Sequence, residues 1–121
     1  MNLQLIFRIA GGIMLINGLS FIIITDTFLG MAGMDVTPPL VTMAQAMGTS
    51  LIAIGILAVR TPDIAGEAIY DYGQLFAVIS VLWVLLIGYH AATGQASGPP
   101  VYGNLLINIV LAGSFFVFSK K

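Results

Sequence analysis

Cysteine is absent from this sequence of 121 residues. Its absence excludes disulfides, thiolate metal sites, covalently attached haem and iron–sulfur clusters. Histidine occurs once, so the sequence has no histidine pair for haem or zinc, and no glycine-rich stretch has the spacing of a phosphate-binding loop. The two connections predicted to lie on the side of that histidine are nearly free of acidic residues, so we find no acid placed to complete a Ser/His/Asp catalytic triad. We therefore predict a protein that is not an enzyme and uses no metal or cofactor.

Charge is scarce as well. Only 7% of the residues are charged, whereas about a quarter are charged in soluble domains. The formal net charge of −1 provides no basic surface for nucleic acid. Hydrophobic residues make up 59% of the chain and the mean hydropathy is +1.04, so the expected partner is the lipid bilayer and nucleic acid is excluded.

Four apolar segments are each close to the length of about 20 residues that a membrane-spanning helix needs. They lie at about 3–24, 40–59, 74–92 and 101–118. We predict an all-α fold in which residues 1–121 form one integral membrane four-helix bundle with four transmembrane helices. The first segment is too long for the apolar part of a secretory signal.

Positive charge is confined to one side of this predicted topology. Arg8, Arg60, Lys120 and Lys121 all fall at the termini or in the central connection, residues 60–73. Basic residues favour the cytoplasmic side of a membrane. Both termini and the central connection are therefore predicted to be cytoplasmic, most simply in a bacterial inner (plasma) membrane.

The central connection is also acidic. Thr61 is predicted to cap a short helix with Pro62 in its first turn, and carboxylates then recur every fourth residue on one face. These carboxylates are Asp63, Glu67 and Asp71. The face is either simply solvated or docks onto a basic surface of a partner, and a metal site is the least supported interpretation.

Small residues recur at steps of four and seven in the first two spans. They are Gly11, Gly18, Ala44, Gly48 and Gly55. Small residues let helix backbones approach closely in lipid. They predict close packing, either within one subunit or across a dimer face.

Polar side chains inside the spans cluster by depth in the half away from the predicted cytoplasmic side. They are Asn17, Gln45, His90, Asn104 and Asn108. At a rise of about 1.5 Å per residue these side chains lie at comparable depth, so we expect them to meet. The cluster either holds the bundle together or binds the head group of a quinone, a lipid or a small polar solute.

The first connection, residues 25–39, contains the apolar patch 28–34. This patch is too short to cross a bilayer. We predict that it lies along the membrane surface.

The pattern of the first two spans resembles a family. Phe7-Arg8-Ile-Ala-Gly-Gly12 and Asn17-Gly18 lie in the first span, and the second opens on Pro-Pro and closes with Arg60. In these features the chain resembles the small bacterial four-helix membrane proteins grouped as DoxX-like. The resemblance implies a quinone-associated or accessory role and carries no site residue with it.

Three functions are compatible with these features. The leading hypothesis is a non-enzymatic membrane subunit or accessory protein that packs against a larger complex or against itself. The alternatives are an oligomeric carrier of a small solute or lipid-like ligand, and a quinone-interacting redox helper. A proton-coupled exporter of the small multidrug type is disfavoured, because the predicted spans contain no acidic residue.

Overall fold

The computed structural model describes residues 2–120, which form five α-helices and no strand. The helices are α1 (Leu3–Ile23), α2 (Thr25–Met31), α3 (Pro38–Ile64), α4 (Ile69–Ala92) and α5 (Pro99–Phe118). All except the short α2 are long and apolar enough to cross a membrane. The predicted all-α fold is confirmed, and the four long helices agree with a multi-pass membrane protein.

The helix starts follow local capping chemistry. The side chain of Asn2 accepts a hydrogen bond from the backbone N–H of Leu5 at 2.9 Å, and that of Thr37 accepts from the N–H of Leu40 at 3.4 Å. α3 and α5 both begin with two prolines. A proline costs nothing in a first turn, where its missing N–H has no helical partner.

The predicted short helix after Thr61 is wrong. α3 continues through Pro62 to Ile64, and the hydroxyl of Thr61 donates backwards to the carbonyl of Leu57 at 2.6 Å. Pro62 lies in the last turn, where its missing N–H removes one bond without breaking the helix. The chain turns at Gly66, whose φ of +57° suits glycine. Only residues 65–68 therefore separate α3 from α4.

α1 and α3 form the first helical hairpin, and glycines bring their backbones together. A Cβ placed on Gly18 would lie 2.6 Å from the carbonyl oxygen of Gly48, and one on Gly55 would lie 3.0 Å from that of Gly11. The Gly18–Gly48 and Gly11–Gly55 contacts lie seven residues apart along each helix, and the two helices run antiparallel. Four of the five predicted small residues, the glycines, are thus used for packing within one chain, the first of the two predicted alternatives.

α4 and α5 form the second hairpin, which meets the first at an aromatic cluster. Phe7 packs edge-on against Phe76 and Phe115, with ring centroids 5.0 and 4.9 Å apart. Arg8, Arg60 and Lys120 lie at the same end of the bundle, which we call the basic end. The three phenylalanines of the aromatic cluster are the part of the main core that lies between the hairpins.

At the opposite end, which we call the loop end, the two hairpin connections touch. The backbone N–H of Ser97 donates to the carbonyl of Ala32 at 2.8 Å. Gly98, with φ of +98°, lies so close to the carbonyl of Met31 that a side chain would collide with it. Ala32, Ala96 and Val101 form a small buried cluster beneath this contact. We call this junction the clasp.

Candidate ligand-binding site

A cavity of about 360 Å³ lies between the two hairpins, on the loop-end side of the aromatic cluster. Each long helix lines it with one stripe of residues at steps of three and four, the spacing of a single helix face. Met14 and Leu111 belong both to the cavity wall and to the main core. The core therefore closes the cavity toward the basic end.

One wall of the cavity carries a hydrogen bond between the hairpins. The side-chain amide nitrogen of Asn17 on α1 donates to the Oδ1 of Asn104 on α5 at 2.9 Å. The amide nitrogen of Asn104 in turn donates to the backbone carbonyl of Pro100 at 2.8 Å. Both ends of the Asn104 amide are therefore occupied within the protein.

Three other polar groups on the cavity wall keep unused hydrogen-bonding capacity. Asn17 uses only its amide nitrogen, and the amide nitrogen of Asn108 donates to the backbone carbonyl of Asn104 at 2.8 Å. The imidazole of His90 makes no hydrogen bond to any residue in 2–120 and tilts against the ring of Tyr89 at 6.0 Å. Within the described residues, no fully buried side-chain nitrogen or oxygen lacks a partner, so these unused groups face accessible space.

The structure brings four of the five predicted polar residues to this cavity and leaves out the fifth. Asn17, His90, Asn104 and Asn108 line it. Gln45 is exposed and does not line it. Its neighbour Ala44 occupies the cavity face of α3 instead, because adjacent helix residues point about 100° apart. The expectation that Gln45 joins the cluster is therefore wrong.

The remaining wall is apolar and holds the only tryptophan of the sequence. Met43, Met47 and Leu51 line it from α3, and Trp83 and Leu86 from α4. No Asp, Glu, Lys or Arg is among the described lining residues. The site therefore combines a polar, uncharged patch on one side with a long apolar wall on the other.

The apolar patch of the first connection forms one end of the cavity. It folds into α2 and the turn after it, and Phe28, Leu29, Ala32 and Met34 line the cavity. Leu29 is buried and Phe28 packs edge-on against Phe21 at 4.7 Å. The prediction that this patch lies along the membrane surface missed these contacts. The high apolar content of this patch was the sequence signal that it would be buried against other residues.

The three predicted partner-binding carboxylates do not share a helix face. Asp63 lies in the last turn of α3, Glu67 in a single 3₁₀ turn and Asp71 in the first turn of α4. Asp63 forms ion pairs with Arg8 at 2.9 Å and with Arg60 at 3.5 Å. The turn at Gly66 separates these groups, so the common acidic face is a wrong prediction.

No family model, no curated protein and no solved structure matches this chain. The resemblance to DoxX-like proteins stays a prediction. Among the described residues, no three His, Asp or Glu side chains lie close enough together to hold a metal ion.

Proposed function

We propose that this chain is a non-enzymatic integral membrane protein that binds a lipid-like amphiphile in the cavity between its two hairpins. One observation carries the proposal. Hydrogen-bonding groups on Asn17, His90 and Asn108 remain unused on the wall of an otherwise apolar cavity. An amphiphile meets both surfaces at once, with its head on the polar groups and its apolar body against the methionines and Trp83.

The cost of leaving polar groups without partners inside a membrane supports the binding of an amphiphile in this cavity. Polar groups in hydrocarbon cost several kcal/mol each unless they find a hydrogen-bond partner. Asn104 has a partner within the protein for both its amide oxygen and its amide nitrogen, whereas its neighbours on the same wall do not. A volume of about 360 Å³ lies within the range of about 300–1,000 Å³ found for small-molecule sites. Quinones are one class of amphiphile that such a site accommodates.

A role as accessory subunit, the leading hypothesis from sequence, remains a prediction with less support. Its two proposed contact surfaces were the small-residue faces and the acidic stretch. Gly11, Gly18, Gly48 and Gly55 pack within the chain, and Asp63 pairs with arginines of the same chain. A partner subunit or a second copy would have to use other lipid-facing surfaces.

We further propose that the basic end faces the cytoplasm of a bacterial inner membrane, because basic residues favour that side. The absence of cysteine allows a direct topology test. In Ser97→Cys, at the loop end, the new thiol should react with a membrane-impermeant reagent added outside intact cells. In Glu67→Cys, at the basic end, it should react only after permeabilisation. The opposite labelling pattern would reverse the orientation and leave the ligand proposal standing.

Binding is tested by purifying the protein in native-lipid nanodiscs and identifying extracted small molecules by mass spectrometry. The test variant is Asn108→Leu, which removes a cavity amide. Gln45→Leu is the matched control, since it removes an amide outside the cavity. We expect one enriched amphiphile in the wild type and in Gln45→Leu, and its loss in Asn108→Leu with thermal stability nearly unchanged. Equal recovery from all three proteins would refute the site.

A further inference from the structure

The cavity has an opening in its side. Met43, Met47 and Leu86 line it and yet are 69%, 37% and 46% exposed. The first two lie on α3 and the third on α4, and contacts between these two helices are at most marginal. α1 packs along α3, and α4 along α5, so the gap lies where α3 of one hairpin faces α4 of the other.

The other directions out of the cavity are blocked. Toward the basic end, Phe7, Phe76 and Phe115 fill the space between the hairpins. Toward the loop end, the clasp joins Ala32 to Ser97, and Leu29 is buried beneath it. On the side opposite this gap, the hydrogen bond between Asn17 and Asn104 bridges α1 and α5. The gap between α3 and α4 is therefore the main opening, and in a membrane-spanning bundle a lateral gap would lead to hydrocarbon rather than to water.

The charge of the wall restricts the head group. Among the described lining residues there is no lysine or arginine, and Arg8, Arg60 and Lys120 lie at the other end of the bundle. An anion placed in this wall would lose its hydration without gaining a lysine or arginine as counter-charge, which is far costlier than burying a neutral polar group. Asn17, His90 and Asn108 can instead donate to and accept from hydroxyl or carbonyl groups.

We infer that the ligand is a single-chain amphiphile with an uncharged, hydrogen-bonding head group, and that its chain leaves the cavity between α3 and α4 into the bilayer. This inference rests on the proposed function and adds the chemical class of the ligand and its route. The cavity volume of about 360 Å³ lies near the lower limit for small-molecule sites. It accommodates a head group and the first part of one chain, and the rest extends through the opening.

The head-group class is tested on the full-length wild-type protein in nanodiscs. Trp83 is the only tryptophan and lines the cavity, so a brominated chain bound there quenches its fluorescence. The probes are a monoacylglycerol with a dibrominated chain and the phosphate monoester of the same molecule. We expect saturable quenching by the neutral probe at a concentration at least about tenfold lower than by the phosphate ester.

The route is tested with a monoacylglycerol that carries a diazirine in the middle of its chain. After illumination, mass spectrometry should place the adducts that unlabelled monoacylglycerol competes away on Met43, Met47 and Leu86. Leu57, on the same helix α3, is 65% exposed but does not line the cavity. Its adducts should be fewer and should not be competed.

The outcomes distinguish an error in the ligand class or route from an error in the proposed function. Tighter binding of the neutral probe with competed adducts at the opening supports both the class and the route. Equal or tighter binding of the phosphate ester overturns the head-group class and leaves a ligand site. Competed adducts only on residues away from the opening overturn the route. Quenching that never saturates with either probe, and no competed adduct anywhere, refutes the proposed function itself.

Discussion

The two ends of the space between the hairpins are built in opposite ways. At the basic end three phenylalanine rings pack within 5.5 Å of one another, and Phe7 and Phe115 are completely buried. Toward the loop end the same two hairpins enclose about 360 Å³ that no side chain fills. Both regions are lined mainly by apolar side chains. They differ in how completely those side chains fill the space between the hairpins.

This difference separates stability from binding. Helix association in lipid depends mainly on close van der Waals packing, because lipid tails are as apolar as the side chains themselves. The aromatic cluster and the glycine contacts provide that packing. The loop-end half is then free to keep an incompletely filled space with polar groups on its wall. Substitutions in the two halves should therefore have different effects on stability and on binding.

The largest effect is expected at the aromatic cluster. Phe115→Ala opens a void between the hairpins and should lower the free energy of unfolding by about 2–4 kcal/mol. The control is Phe116→Ala, since Phe115 is 0% exposed and Phe116 is 58% exposed. It should cost less than about 1 kcal/mol. Unfolding in a mild detergent, followed by Trp83 fluorescence, measures both. Equal losses would show that the cluster does not hold the hairpins together.

The next effect concerns the close approach of α1 and α3. In Gly18→Ala the new methyl would lie 2.6 Å from the carbonyl oxygen of Gly48 and 2.7 Å from Ile52, so we expect a loss of about 1–3 kcal/mol. Gly12 lies on the same helix with nothing within 4 Å of its Cβ position. Gly12→Ala should therefore be neutral or stabilising by up to about 1 kcal/mol. Thermal unfolding compares the two, and effects of the same sign and size would contradict this packing.

A smaller effect is expected from the hydrogen bond between the hairpins. In a double-mutant cycle of Asn17→Leu and Asn104→Leu, the coupling energy should be about 0.6 kcal/mol and no more than about 1.7 kcal/mol. Unfolding of the four proteins in the same detergent gives this value. A much larger coupling would make the cavity wall a main source of stability, against the separation proposed here.

The smallest effect is expected at the ion pair of the basic end. The side chains of Arg8 and Asp63 are 55% and 48% exposed, and exposed ion pairs contribute about 1 kcal/mol or less. Asp63→Asn should therefore lower stability by less than about 1 kcal/mol, and salt should reduce the difference. Glu67→Gln, which removes a charge outside both ion pairs, is the control. A salt-independent loss several times larger would place this pair in a less hydrated setting than its exposure indicates.

Hydropathy in the sequence was enough to predict the four long helices. Each long apolar segment became a helix, because a backbone in lipid must satisfy its own hydrogen bonds. The seven-residue spacing of Gly11 with Gly18 and of Gly48 with Gly55 indicated close packing, although not with which helix. The continuation of α3 through Pro62 was missed, since a proline at a helix end and one at a helix start look alike in sequence.

The direction in which each side chain points was decided by the tertiary structure. The rise per residue fixes depth along a helix, but rotation about the helix axis is fixed only by the neighbours against which the helix packs. For that reason Asn17, His90 and Asn108 reach the cavity while Gln45, at a similar depth, does not. The position of α2 likewise depends on the contact between Ala32 and Ser97, 65 residues apart in the chain. Such a long-range contact has no local signal, so the cavity and its opening exist only in the folded bundle.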